Sequence, residues 1–271
     1  MKILSKFIVV VFCMLAAAPF LWHFVSSLKD AAEIAQIPPV IFPARPTLEN
    51  YFDLFRQRPF LRYCMNSLII ASLSSFVCVA SASLAAYRLA RIDARVRNSA
   101  SAALLGLAFF PSIVFLFPLY ELVRVLGLIN HPWGLIIPYA AMNLPISIWL
   151  LTGYFRQIPI ELEEAAEMDG LSPLQTFLTI VLPLAAPALA TTAVLAFVFS
   201  WNEYMLALTF MNADQARTVT VAVATLSGAF VYQIPWGLIA AGVIASSLPL
   251  IGLAILFQRQ IVAGLTAGSN R

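Results

Sequence analysis

Charge is scarce in this sequence. Asp, Glu, Lys and Arg make up only 11% of its 271 residues, against roughly a quarter in a soluble domain, whereas 61% are hydrophobic and the mean hydropathy is +0.89. A water-soluble domain is excluded, and an integral membrane protein is what remains. Lysine is almost missing: Lys2, Lys6 and Lys29 are the only ones, and none lies in a glycine-rich turn. A P-loop needs such a lysine, so any ATP that drives this chain must be hydrolysed by another subunit. The three cysteines, Cys13, Cys64 and Cys78, are odd in number and sit in or beside apolar runs, which makes them packing residues rather than a disulfide framework. With cysteines so placed, the two histidines, His23 and His131, cannot build a metal site. The net charge of +3 is too small and too scattered to argue for nucleic acid.

What the chain does have is long apolar runs. Six read as crossings of a bilayer whose core needs about 20 helical residues: 7–25, 67–86, 101–120, 133–152, 184–210 and 236–257. The expected fold is therefore an all-α integral membrane protein of six transmembrane helices. Ala16-Ala17-Ala18 imitates a signal cleavage site, but the first run continues through Phe20, Leu21 and Trp22, which reads as a retained span. The second span is crowded with serine and alanine, small residues that let helices approach closely in lipid and place it inside the bundle. Pro111, Pro118, Pro138, Pro145 and Pro249 fall within spans, where each leaves a carbonyl unpaired and bends the helix. That pattern suits a transporter better than an inert anchor.

Between the spans, residues 29–62 form the longest loop. In it Thr47 is expected to cap a short amphipathic helix from Leu48 to Phe55, with Leu48, Tyr51, Phe52 and Phe55 turned to the membrane surface or a partner. Arg88, Arg91, Arg95 and Arg97 crowd the short loop after the second span, offset only by Asp93. Lys and Arg number nine on that side and seven on the other, and the density of the short loop places both termini in the cytoplasm. The pentapeptide Pro-Trp-Gly-Leu-Ile occurs at 132–136 and again at 235–239, each time with proline to start a helix and tryptophan for the headgroup level. The apolar segment 219–226 is too broken by Ser227 and Gly228 to count as a crossing and is expected to dip into the outer interface.

Five of the chain's carboxylates lie within nine residues: Glu161, Glu163, Glu164, Glu167 and Asp169. Pro159 and the acids behind it suit the start of a helix. Gly170 supplies a left-handed end, Ser172 is an N-cap, and Pro173 opens a second helix. A helix, a sharp bend and another helix are predicted over 159–183. A solvated acidic segment between spans is the plain alternative.

Glu164-Ala165-Ala166, three residues, Gly170, nine residues, then Ile180-Val181-Leu182-Pro183 resembles the EAA loop of binding-protein-dependent ABC importer permeases. Asn66-Ser67-Leu68-Ile69-Ile70, Leu84-Ala85-Ala86-Tyr87, Gly134 to Tyr139, Trp201-Asn202-Glu203 and the tail Gly264 to Gly268 extend the likeness along nearly the whole chain. They are similar to the carbohydrate-uptake branch, in particular the second permease of maltose and trehalose importers. The resemblance implies one permease domain over 1–271, with the loop as a cytoplasmic coupling helix between the fourth and fifth spans. It also implies a second permease, two ATPase subunits that hold ATP and Mg, and an extracytoplasmic sugar-binding protein, in the plasma (inner) membrane. No cofactor would be bound by this chain. The docking residues would be Glu161, Glu163, Glu164, Ala165, Ala166, Glu167, Asp169, Gly170, Ile180, Leu182 and Pro183. Glu164 and its neighbours would offer charge to basic groups, and Ala165 and Ala166 would keep the face small.

Polar groups inside spans are the candidates for a substrate path or gate: Asn143, Asn202 and Glu203. At ~1.5 Å per residue Glu203 lies roughly 28 Å above Leu184, near the outer edge of the core. Phe109, Phe110, Phe115 and Tyr120 are read as packing, and Glu121 with Arg124 as a surface ion pair. An ion-coupled secondary carrier is the alternative function, but it needs ionisable residues near the midplane, which the spans scarcely contain. An intramembrane enzyme would need paired catalytic groups at one depth, and His23 has no acid near it in its own span.

Overall fold

Helices set by the apolar runs dominate the molecule, seen in a computed structural model that describes residues 2–226 and 234–266, with side chains for 6–226 and 234–258. The readings at Ser227, Gly228, Ala267, Gly268 and Arg271 lie outside the described residues. Among the described residues every regular element is helical. The main helices are α1 (Lys2–Ser27), α2 (Glu49–Gln57), α3 (Phe60–Arg91), α4 (Ala94–Ala108), α5 (Leu116–Val125), α6 (Trp133–Phe155), α7 (Glu161–Met168), α8 (Pro173–Leu184), α9 (Ala186–Asn202), α10 (Met205–Phe210), α11 (Val219–Ala224) and α12 (Trp236–Thr266). Four of them, α1, α3, α6 and α12, are long and apolar enough to cross a membrane unbroken. Two bent pairs add to these, giving six if each pair is one span.

The bends have local causes. The third span is not one rod: α4 stops at Ala108, and the chain resumes after Pro111 with a change of direction of 80°. Proline cannot donate to the turn behind it, so the break falls there. Phe110 lies 5.2 Å from Phe115 across the bend and Tyr120 meets Phe210 at 6.2 Å, but Phe109, also read as packing, is 84% exposed, and Phe110 and Phe115 are exposed on their outer sides. The fifth span is likewise shorter than 184–210. It bends by 78° at Ala185 and ends at Asn202, because Glu203 is extended and its carboxylate starts α10 instead.

By contacts the chain forms two compact units, Met1–Met65 with Thr218–Ile251, and Asn66–Arg217 with Gly252–Arg271. In the first, Asn50 of α2 donates to the carbonyls of Ser27 (2.9 Å) and Lys29 (2.8 Å), closing the orphan end of α1. Thr47 sits one residue too early to be the N-cap. Its hydroxyl still accepts from Glu49 N at 3.1 Å, while Leu48, Phe52 and Phe55 are exposed and Tyr51, expected beside them, is half-buried with its hydroxyl 2.8 Å from Ser27 Oγ. In the second unit one face of α3, with Ala71, Ser74, Ser75, Ala82 and Ala86, is buried while Ser72, Ala80, Ser81 and Ala85 are exposed. Hydroxyls of the buried face join the helices: Ser74 to Ser200 at 2.9 Å, and Ser75 to the carbonyl of Ala193 at 2.7 Å. The two Pro-Trp-Gly-Leu-Ile copies also share a steric reason for their glycine. A Cβ on Gly134 would stand 2.4 Å from the carbonyl oxygen of Leu128, and one on Gly237 would stand 2.6 Å from the Asn50 side chain.

Candidate functional site: the acidic elbow and the Glu203 corner

Three acids in the first turn of α7 face the positive end of its backbone dipole. The helix is closed by two bonds, Gly170 N to Glu167 O and Leu171 N to Ala166 O, each 3.0 Å. This Schellman closure needs a left-handed residue after the cap, and Gly170 has φ +85°. Two residues on, Ser172 and Gln175 form a reciprocal capping box, and Pro173 occupies the first turn of α8. The elbow predicted over 159–183 is thus built by its own end signals. Within α8 the turn at Phe177–Val181 is π-helical, wider than the α-helix on either side.

One face of α7 turns inward. Glu163, 8% exposed, and Ala166, three residues on, are buried together. Arg91 at the end of α3 reaches Glu163 Oε1 with Nε at 2.9 Å and with Nη2 at 2.5 Å, and Nη2 also donates to Ile158 O at 3.2 Å. Tyr87 Oη donates to Glu163 Oε2 at 2.7 Å. The Tyr87 ring in turn lies 4.9 Å from Phe177 and 6.1 Å from Phe155. Ala82, Ala86 and Ala90 allow this approach, and with Leu151, Ile158, Val181 and Ala185 they form one apolar cluster. Glu163, expected among the outward docking groups, therefore binds the elbow to α3.

The opposite face is open. Glu161, Glu164, Ala165, Glu167, Asp169 and Gly170 are exposed, and Met168 is 89% exposed at the tip. Ile180 and Leu182 are half-buried and Pro183 is exposed. Sequence reasoning missed Arg91 and Tyr87 as partners. The i, i+3 spacing of Glu163 and Ala166 puts them on one helix face but does not name the residues that face meets.

A second polar group surrounds Glu203. Its carboxylate accepts from Tyr139 Oη at 2.5 Å, from Leu206 N at 2.9 Å and from Ala207 N at 3.1 Å. Tyr139 is fully buried in α6, and Asn143, one turn further, donates to the Tyr139 carbonyl at 2.8 Å. Asn143 thus makes only a bond within its own helix, and Tyr139, not Asn143, is the residue the structure brings to Glu203. Asn202 points elsewhere, exposed, with its amide on Val198 O at 2.8 Å. Glu121 and Arg124 form the expected surface pair at 2.7 Å. Among the described residues no His, Cys, Asp and Glu cluster could hold a metal ion.

Among the described residues the body is all-helical, with four to six apolar spans and an end-capped acidic elbow between two of them. The chain belongs to the family described as the binding-protein-dependent transport system inner membrane component, which matches residues 78–266. It is 40% identical to the trehalose/maltose transport system permease protein MalG of Thermococcus litoralis, over 99% of this chain and 98% of that one. It is 39% identical to the trehalose transport system permease protein SugB of Mycobacterium tuberculosis, covering 94% and 92%. The sulfoquinovosyl glycerol transport system permease protein SmoH of Agrobacterium fabrum is 36% identical, covering 92% and 87%. A crystal structure of a bacterial ABC transporter that imports the acidic polysaccharide alginate contains a chain of the same fold, with TM-score 0.79 and 22% identity over 95% of both chains.

Proposed function

We propose that this chain is the permease subunit of an ATP-driven sugar importer, in which it forms half of the translocation path beside a second permease. An extracytoplasmic sugar-binding protein delivers the substrate, and two ATPase subunits, which hold ATP and Mg, supply the energy. Both termini and the elbow lie in the cytoplasm. Three relatives support sugar as the substrate class, since each is named for a cargo with a sugar ring. Within the elbow, Glu164, Ala165 and Met168 dock in the ATPase cleft, with Glu161, Glu167 and Asp169 supplying surrounding charge. Gly170 sets the angle, and Ile180, Leu182 and Pro183 join the second arm to the fifth span. Ala166 and Glu163 serve from beneath, holding the docked arm to α3. Asn143 and Glu203 belong to the outer part of the path.

The observation that carries this reading is the division of α7 into a clamped face and an open one. A coupling element must be rigid toward its own body and free toward its motor. Affinity purification of the tagged chain from native membranes should bring down a second permease and an ATPase. The same complex in liposomes should take up labelled trehalose or maltose only with ATP and binding protein present. Glu164→Arg should abolish uptake while leaving the chain in the membrane. Uptake by the purified chain alone, or uptake indifferent to ATP, would refute the reading.

A further inference from the structure

The end of α1, the start of α12 and the loop that follows α1 enclose a cavity of about 330 Å³, whose walls include Trp22, His23, Lys29, Glu33, Val40 and Trp236. Two charged groups in it are incompletely used. Lys29 is only 3% exposed; its ammonium donates to Val40 O at 2.5 Å and stands 4.9 Å over the Trp22 ring. Among the described residues no carboxylate pairs with it. An ammonium has three donors, and burying its charge without a counter-ion is costly. Glu33 spends Oε1 on the backbone N–H of Ala44 at 2.9 Å, while its Oε2 is sealed from solvent with no hydrogen-bond partner. The cavity thus offers a cation and an anion, each with capacity to spare.

Its depth narrows the guest. Trp22 ends one apolar span and Trp236 begins another, both rings are exposed, and tryptophans at span ends mark the headgroup level of a bilayer. Phe20, Leu21 and Phe24 of α1, in the same turns of helix as Trp22 and His23, are exposed and offer a surface for acyl chains. We propose that the cavity binds the headgroup of an ethanolamine-type phospholipid, with its phosphodiester toward Lys29 and its ammonium donating to Glu33 Oε2, which a rotation of the carboxylate about its hydrogen bond to Ala44 N turns into the cavity. A choline headgroup has no N–H to give Glu33. A glycerol headgroup brings no cation, and a neutral sugar brings neither charge.

The test uses the purified full chain in detergent, equilibrated with equal amounts of dioleoyl phosphatidylethanolamine, phosphatidylcholine and phosphatidylglycerol, with retained lipid counted by native mass spectrometry. Wild type should retain the ethanolamine lipid with a preference of about tenfold, the size of one charge-assisted hydrogen bond. Glu33→Gln keeps an acceptor for Ala44 N and so should fold, but it should lose that preference. Lys29→Gln should weaken retention of all three lipids. Equal retention by wild type, a preference unchanged in Glu33→Gln, or displacement of the lipid by trehalose would overturn the proposal. So would thermal stabilisation by soluble phosphoethanolamine equal to that by the lipid, since the site would then read the headgroup without a membrane.

Discussion

Arg91 and Glu163 lie 72 positions apart in sequence, yet the guanidinium of one holds the carboxylate of the other with both Nε and Nη2. Their side chains are 19% and 11% exposed, so the pair is largely out of water. Leaving one such charge without its partner costs up to about 3 kcal/mol. Glu163→Ala and Arg91→Ala should each lower the melting temperature of the purified complex. Each should also depress uptake more than basal ATPase activity. The double variant should lose less than the sum of the two, and strict additivity in a double-mutant cycle would show that the contact carries no coupling.

Gly170 tests the elbow through its backbone alone. A Cβ there would meet nothing within 4 Å, but φ is +85°. Gly170→Ala should therefore destabilise by about 1–2 kcal/mol from left-handed strain, and Gly170→Asn by less, since Asn tolerates that region. Both should insert normally. The order of their transport rates, Asn above Ala, is the readout, and a reversal would point to a steric role.

At Gly134 the prediction is steric instead. The carbonyl oxygen of Leu128 is backbone and cannot move aside cheaply, so Gly134→Ala should sharply reduce the yield of folded protein. Gly106→Ala, where a Cβ meets nothing, should be silent. Detergent-stable yield by size-exclusion chromatography separates the two.

Tyr139 and Glu203 form the second polar group. Tyr139→Phe removes one donor and leaves Glu203 its two backbone amides, a loss of about 1–2 kcal/mol. Glu203→Ala also removes the bonds to the Leu206 and Ala207 amides at the start of α10 and should lose more, while Glu203→Gln, which keeps an acceptor, should fall between. The expected ranking in melting temperature is Glu203→Ala lowest. Should Glu203→Gln lose transport with its melting temperature intact, the carboxylate charge would be acting on the path itself.

The elbow was legible because helix ends are written locally: Gly170, Ser172 and Pro173 each act on the backbone beside them. The spans were legible for the same reason, as runs of apolar residues. Their breaks were only half so. Pro111 marked a bend without giving its 80°, and Glu203 looked like a buried charge within a helix when it is the residue that ends one and begins the next. Arg91 and Tyr87 could not be assigned to Glu163 from sequence, because that pairing depends on how α3 passes α7. No residue between them encodes it.

The wide π turn at Phe177–Val181 lies between two fastenings, the grip on Glu163 on one side and the hydroxyl ties of Ser74 and Ser75 to α9 on the other. If the elbow is the coupling element proposed above, any twist of one fastening against the other has to be taken up along the stretch between them. We expect it at this slack coil, whose surplus residue lets the arm unwind and rewind by a notch while its ends stay bolted.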